Sequence, residues 1–228
     1  MAGLSELARY GFTDLSGTPS KLDQLVKLVG DAGRAALASL AKSANPDQAL
    51  NYLLTLAEID KSKIKKLLSK EDSATRLCLL LGATEALADL VRRKPEFLFH
   101  FEKPITAVKS SAELTISLAA SVDDLLEGEF EVVQVWSSLR LKYRQELLQI
   151  AIFDLSQSDV EYGVPMVAAA LADLAGAALE AGIKVARAEL KRSSEFGNYS
   201  EEEVNQTKLS VIAMGKCGAR ELNYISDV

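Results

Sequence analysis

The stretch VIAMGKCGARELNYISDV, Val211 to Val228, holds the residues of this chain best suited to chemistry. A short apolar run closes on Gly215-Lys216-Cys217-Gly218, a tight turn that brings backbone N–H groups and a lysine ammonium together, as phosphate oxygens require. Taken alone this is a weak signal. The glycine spacing is not that of a Walker A loop, no Lys-Ser or Lys-Thr pair follows, and a glycine turn after a strand is commonly only a turn. Ser226-Asp227 strengthens it, because a carboxylate after such a loop can hold a divalent cation against nucleotide phosphates. A second carboxylate two residues later on a strand points to the same side. That position is residue 229, and the sequence runs to Val228.

The elements that must position these residues change character along the chain. LSVIAMG, Leu209 to Gly215, is a β-branched apolar run ended by glycine and reads as a buried strand. Before it, Ser193 to Lys208 is polar and acidic and contains Gly197 and Asn198, so it reads as a linker and a domain boundary. Upstream the period is helical. Leu22, Leu25, Val26, Val29, Ala36, Leu37 and Leu40 share a face after Thr18 and Pro19, which fit an N-cap and first turn. Asn45-Pro46 opens a second helix with Ala49, Leu50, Leu53, Leu54 and Ala57 on its stripe. A third helix is predicted from Asp72 to about Arg93, stopped by Pro95.

Ser110 to Gly128 reads as one or two short helices. Val132, Val135, Trp136, Leu139, Tyr143, Leu147, Ile150 and Leu155 then keep helical spacing over about seven turns. An alanine-rich helix follows from about Val164 to Lys191, and the short connection near Gly163 makes the two long helices antiparallel neighbours. The expected fold is mainly α: a multi-helix domain over 1–192, a linker over 193–208, and over 209–228 the first strand and turn of an incomplete α/β domain.

Composition narrows the function. Nearly half the residues are apolar, enough for a sizeable core, and the net charge of -6 leaves no basic excess for binding nucleic acid. The lysines of 61–66 and the run Arg92 to Lys94 read as solvated helix faces. No uninterrupted apolar run reaches the ~18 residues of a membrane span, and MAGLSELARYGF lacks the apolar core of a signal peptide. Cys78 and Cys217 suggest no disulfide framework, which fits a reducing cytoplasm. Cys78 reads as packing, Trp136 as a core anchor, and His100 as a satisfied, partly buried side chain. With one histidine the chain has no parts for a Ser-His-Asp triad or a His-rich metal site.

Met214 to Asn223, MGKCGARELN, followed by Ser226-Asp227, resembles the first nucleotidyltransferase motif of the bacterial glutamine synthetase adenylyltransferase family, within the DNA polymerase beta-like superfamily. LLGATEALADLVRRKPEFL and LRLKYRQELLQIAIFDL resemble two of its upstream helices, so the likeness spans about Leu80 to Val228. Ala213 and Ala219 stand where the family often has glycine, and Gln145 and Gln149 where basic residues are frequent.

The resemblance implies a bifunctional enzyme of nitrogen metabolism that attaches AMP from ATP to a tyrosine of glutamine synthetase and removes it by phosphorolysis, releasing ADP. This chain resembles the beginning of the removing half. Asp227 is then the catalytic metal ligand, for Mg2+ or Mn2+. Gly215, Lys216, Gly218 and Ser226 line the phosphate and nucleotide loop, and Arg220 and Glu221 fix it through a salt bridge or cap. Glutamine synthetase and a PII-type signal protein are the implied partners, in the cytoplasm.

The expectation is therefore a fragment, inactive by itself, whose terminal strand is disordered or pairs through a free edge. The rival expectation is a stand-alone helical interaction module that binds a partner through helices 130–156 and 164–192. A third, a nucleotidyltransferase acting on a small molecule or RNA, fits the RELN string less well.

Overall fold

In the computed structural model, which describes residues 3–127, 129–192 and 199–225, the chain is built from helices and holds no strand among those residues. It divides into two compact units, Met1–Thr106 with Ala151–Ser156, and Ala107–Ile150 with Gln157–Val228.

The first unit contains α1 (Leu4–Arg9), α2 (Thr18–Val29), α3 (Asp31–Leu40), α4 (Pro46–Ile59), α5 (Lys61–Leu68), α6 (Glu71–Ala83), α7 (Glu85–Arg93) and a 3₁₀ turn (Pro95–Phe101). Asn45 caps α4 as its sequence demands, its side chain accepting from the Gln48 N–H at 3.0 Å, with Pro46 in the first turn. Leu50, Leu53 and Leu56 on α4 are fully buried, and α4 packs on α2, α5, α6 and α7. The lysines of α5 lie outward while Ile64, Leu67 and Leu68 are buried.

Two expected continuous helices are broken by local chemistry. The 18–40 face is carried by two helices because Gly30 takes φ +72°, a left-handed conformation that ends α2 and starts α3. The 72–93 helix divides at Thr84, whose backbone is extended and whose side chain caps α7. Just before it, Gly82 lies so close to the turn ahead of α4 that a Cβ there would come 2.8 Å from the Asn45 carbonyl oxygen. Cys78 packs in this core, and burial pushes its thiol up to about 12. His100 is half-buried, its ring 3.9 Å from that of Phe99.

The second unit is organised by α8 (Ser111–Leu126), α9 (Val132–Leu155, whose last turn belongs to the first unit) and α10 (Val160–Leu190). A capping box between Ser110 and Glu113 starts α8 as one helix. Trp136, early on α9, stands half-buried against Gly182, late on α10, which sets these two helices antiparallel. Gly182 has no side chain to hold the ring off. On α9, Glu146 is 1% exposed and collects Lys109 Nζ at 2.7 and 2.8 Å, Ser117 Oγ at 2.6 Å, Gln149 Nε2 at 3.0 Å and Lys142 Nζ at 3.2 Å. Burial alone would raise this carboxyl, but the hydrogen bonds and lysine charges outweigh it and hold the group below its ordinary range.

By length and composition α10 could cross a membrane. Its apolar face, with Val167, Leu171 and Leu174, is instead buried in the protein and packs on α8. Asp173, the one charge between Glu161 and Glu180, lies mid-helix.

Two further expectations need correction. The 193–208 stretch contains a helix, α11 (Glu201–Gln206), started by a Ser200–Glu203 capping box and held to α10 by Lys191–Glu201 at 3.0 Å and by Arg187 donating to the Thr207 carbonyl at 2.7 Å. The strand expected at Leu209–Gly215 is not formed. Leu209–Met214 has no regular structure, and Gly215 begins a single helical turn, α12 (Gly215–Gly218). A strand exists only as a pair, and no described segment lies beside this one to complete a ladder.

Candidate functional site

The glycine motif folds as a tight hook. Gly215 takes φ +58°, and the chain then closes through Gly218 N–H to Met214 O at 3.2 Å, Ala219 N–H to Gly215 O at 2.9 Å and Glu221 N–H to Lys216 O at 2.8 Å. A Cβ on Gly218 would lie 2.4 Å from the Ala213 carbonyl oxygen, so this hook excludes any larger residue there without a backbone shift. Arg220 follows with φ +58°, rare for a side chain of its size.

What holds this conformation is an ion pair. Arg220 Nη2 meets Asp173 Oδ2 of α10 at 2.6 Å, and Leu222 is buried two residues later. The ion pair thus ties the hook to the long helix. Asp173 was not foreseen from the sequence, although a lone acid in an alanine-rich helix was the available signal. Between hook and helix runs a groove of about 740 Å³, walled by Ala172, Gly176, Leu179 and Ile183 on one side and Val211, Ile212 and Met214 on the other.

Of the residues singled out by their chemistry, Gly215, Lys216 and Gly218 come together in the hook. Lys216 is exposed and its ammonium makes no ion pair among the described residues, so it is available to an anion. Cys217 is a half-buried free thiol. Ser226 and Asp227 lie outside the described residues. Among the described residues no group of three His, Cys, Asp or Glu side chains is placed to hold a metal ion, and Asp173 is engaged by Arg220. The described half of the motif is a tight hook with an exposed lysine and, among the described residues, no metal-ligand set.

Residues 74–228 match the profile of a family described as glutamate-ammonia ligase adenylyltransferase. The chain is 41% identical over 228 residues to a bifunctional glutamine synthetase adenylyltransferase/adenylyl-removing enzyme of Leifsonia xyli subsp. xyli, covering 99% of this chain and 22% of that protein. Proteins of the same name from Cutibacterium acnes and Streptomyces coelicolor are 33% and 34% identical, each over 98% of this chain and 22% and 21% of their own length. The chain therefore spans about a fifth of the length of these relatives. No solved structure matches it. The family profile takes in the helices from α6 onward and the whole hook, and on that match the chain belongs to the glutamate-ammonia ligase adenylyltransferase family.

Proposed function

We propose that this chain supplies the amino-terminal part of an adenylyl-removing enzyme acting on glutamine synthetase. Residues 1–192 are its helical domain, 193–208 the join, and 209–228 the start of a nucleotidyltransferase domain. The observation that carries the reading is the family match over 74–228, which includes a hook that leaves Lys216 exposed.

In the reaction an oxygen of inorganic phosphate attacks the phosphorus of adenylyl-tyrosine in line. The new P–O bond makes ADP, the bond to the tyrosine oxygen breaks, and that oxygen takes up a proton. Lys216 and the N–H groups of the Gly215–Gly218 hook bind and orient phosphate oxygens, with Ser226 completing the loop. Asp227 is the residue that would hold Mg2+ or Mn2+, which supplies charge neutralisation at the reacting phosphoryl group. The ion pair Arg220–Asp173 keeps the hook against α10. A PII-type signal protein is the proposed regulatory partner, and the cytoplasm the proposed location.

A two-metal centre needs at least two carboxylates on one side, and among these 228 residues the reading assigns it Asp227 alone. These 228 residues are accordingly expected to release no ADP from adenylylated glutamine synthetase and phosphate. The family-length protein is expected to release it, to lose about 10²-fold or more of that rate on Lys216→Ala, and to lose it almost wholly on Asp227→Asn. Undiminished ADP release by the Asp227→Asn protein overturns the assignment. If that protein still binds glutamine synthetase but neither it nor the unsubstituted protein releases ADP, the helical interaction module is the better reading.

A further inference from the structure

On the adenylyl-removing reading Lys216 orients phosphate oxygens, so whatever fixes its backbone bears on the rate. Packing does little of this. Every residue from Leu209 to Glu221 is exposed except Cys217, which is half-buried. The hook's own hydrogen bonds close it without placing it on the rest of the protein. The Arg220 N–H reaches the Cys217 carbonyl at 3.1 Å and the Glu221 N–H reaches the Lys216 carbonyl at 2.8 Å, so Arg220 and the Lys216 backbone move together. Among the described residues Arg220 is also the one non-glycine residue with a left-handed backbone, φ +58°. A bulky side chain keeps such a conformation only where its surroundings impose it.

The ion pair with Asp173 ties that residue to a fixed support. Asp173 stands in α10 between the buried Ala172 and Leu174, and its side chain is 15% exposed against 59% for Arg220. It is the single charge between Glu161 and Glu180, so no other acid on that stretch of the helix can take its place. Helix α10 is held in turn by its buried face, which packs on α8. A carboxylate carried on a packed helix gives a guanidinium both a place and a direction.

We propose that Asp173 is a positioning residue for the adenylyl-removing reaction: it touches no substrate, but it holds Arg220 and through Arg220 sets where the Lys216 ammonium meets phosphate oxygens. The role rests on that reading of the hook. It makes the helical domain a part of the site and not only a scaffold beside it. The competing account is an incidental surface ion pair. Such pairs add little to global stability, so Asp173→Asn is expected to fold as the unsubstituted chain does, and an effect on rate is then not an effect of unfolding.

Two measurements test the role. In the 228-residue chain, Asp173→Asn is expected to leave the denaturation midpoint in place while shifting the Lys216, Cys217 and Arg220 amide signals in two-dimensional NMR. In the family-length protein it is expected to lower kcat/KM for ADP release by about tenfold, and to lower it no further once Lys216 is replaced by alanine, because the two residues act as one unit. Should Asp173→Asn not fold, Arg220→Asn breaks the pair from the other side with a residue that tolerates the left-handed backbone, and the same outcomes are expected. Unmoved hook signals overturn the proposal whatever the activity. An undiminished rate overturns it as well, and so does a loss by the same factor with and without Lys216. If the hook signals move but the unsubstituted family-length protein releases no ADP, the adenylyl-removing reading has failed and the assigned role falls with it.

Discussion

Leu53 and Leu56 in α4 are fully buried, whereas Ile212 and Met214, ahead of the hook, are each 82% exposed. These are side chains of the same apolar kind in one chain. The contrast comes from how each backbone is satisfied. A helix closes its hydrogen bonds within itself, so α4 needs only neighbours for its apolar face, and α2, α5, α6 and α7 supply them. The run Leu209–Ala213 makes no backbone hydrogen bond among the described residues, and its side chains line one wall of an open groove. A strand segment can bury such residues only when another strand lies beside it.

The largest expected effect tests the buried side of this contrast. Leu53→Ala removes atoms from a site with no exposure, and is expected to lower unfolding free energy by about 2–5 kcal/mol, read as a fall in the denaturation midpoint. A loss near zero would mean that the α4 core is far looser than its burial implies.

Next comes Glu146, a charge buried among packed helices. Replacing it with glutamine keeps the shape but loses the charge that Lys109 and Lys142 surround, at an expected cost of about 1–3 kcal/mol near neutral pH. Its folded pKa is depressed, so its contribution is fully present above the ordinary glutamate value of about 4.3 and is lost as pH falls through the lower folded value. The unsubstituted chain and Glu146→Gln should therefore differ at neutral pH and converge in acid, once the pH has fallen through the depressed folded value. Parallel stability curves over that range would show that the carboxylate's charge is not what the lysines stabilise.

Much of this was legible in the sequence because helices are local. Asn45-Pro46, the heptad-like stripe of α9 and the alanine run of α10 each announce a helix through residues a few positions apart. The breaks within two helical stretches were missed. Gly30 and Thr84 lie inside apolar periodicities that run on across them, so the pattern alone joined α2 to α3 and α6 to α7. Ser200-x-x-Glu203 was a readable capping box hidden in a stretch whose polarity suggested a linker. The hook was seen as a glycine turn, but its anchor was not. Arg220 and Asp173 are 47 residues apart, and no local rule connects them.

Gly218→Ala is a smaller perturbation, aimed at the hook. The new methyl would meet the Ala213 carbonyl, which is backbone and cannot rotate away as a side chain could, so Gly215–Glu221 must rearrange. Few of these residues are buried, and the global cost is expected to stay under about 1 kcal/mol, while the amide shifts of 214–221 change and Arg220 loses its register with Asp173. Unchanged shifts would show that the hook already has room for a methyl.

The smallest effect sharpens the exposed side. Ile212 is 82% exposed, so Ile212→Ser removes apolar area that folding has not taken from water, and the denaturation midpoint should move by no more than about 0.5 kcal/mol. Association is where the change should register, since Leu209, Val211, Ile212 and Met214 form a run that water contacts and a second apolar surface would cover. Sedimentation over a range of concentrations should therefore show the serine variant less associated than the unsubstituted chain at equal stability. If Ile212→Ser instead lowers stability as Leu53→Ala does, the side chain is buried in solution and the contrast between the two regions collapses. If stability and association are both unchanged, the exposed run is a solvated segment with no tendency to be covered by a second copy of the chain.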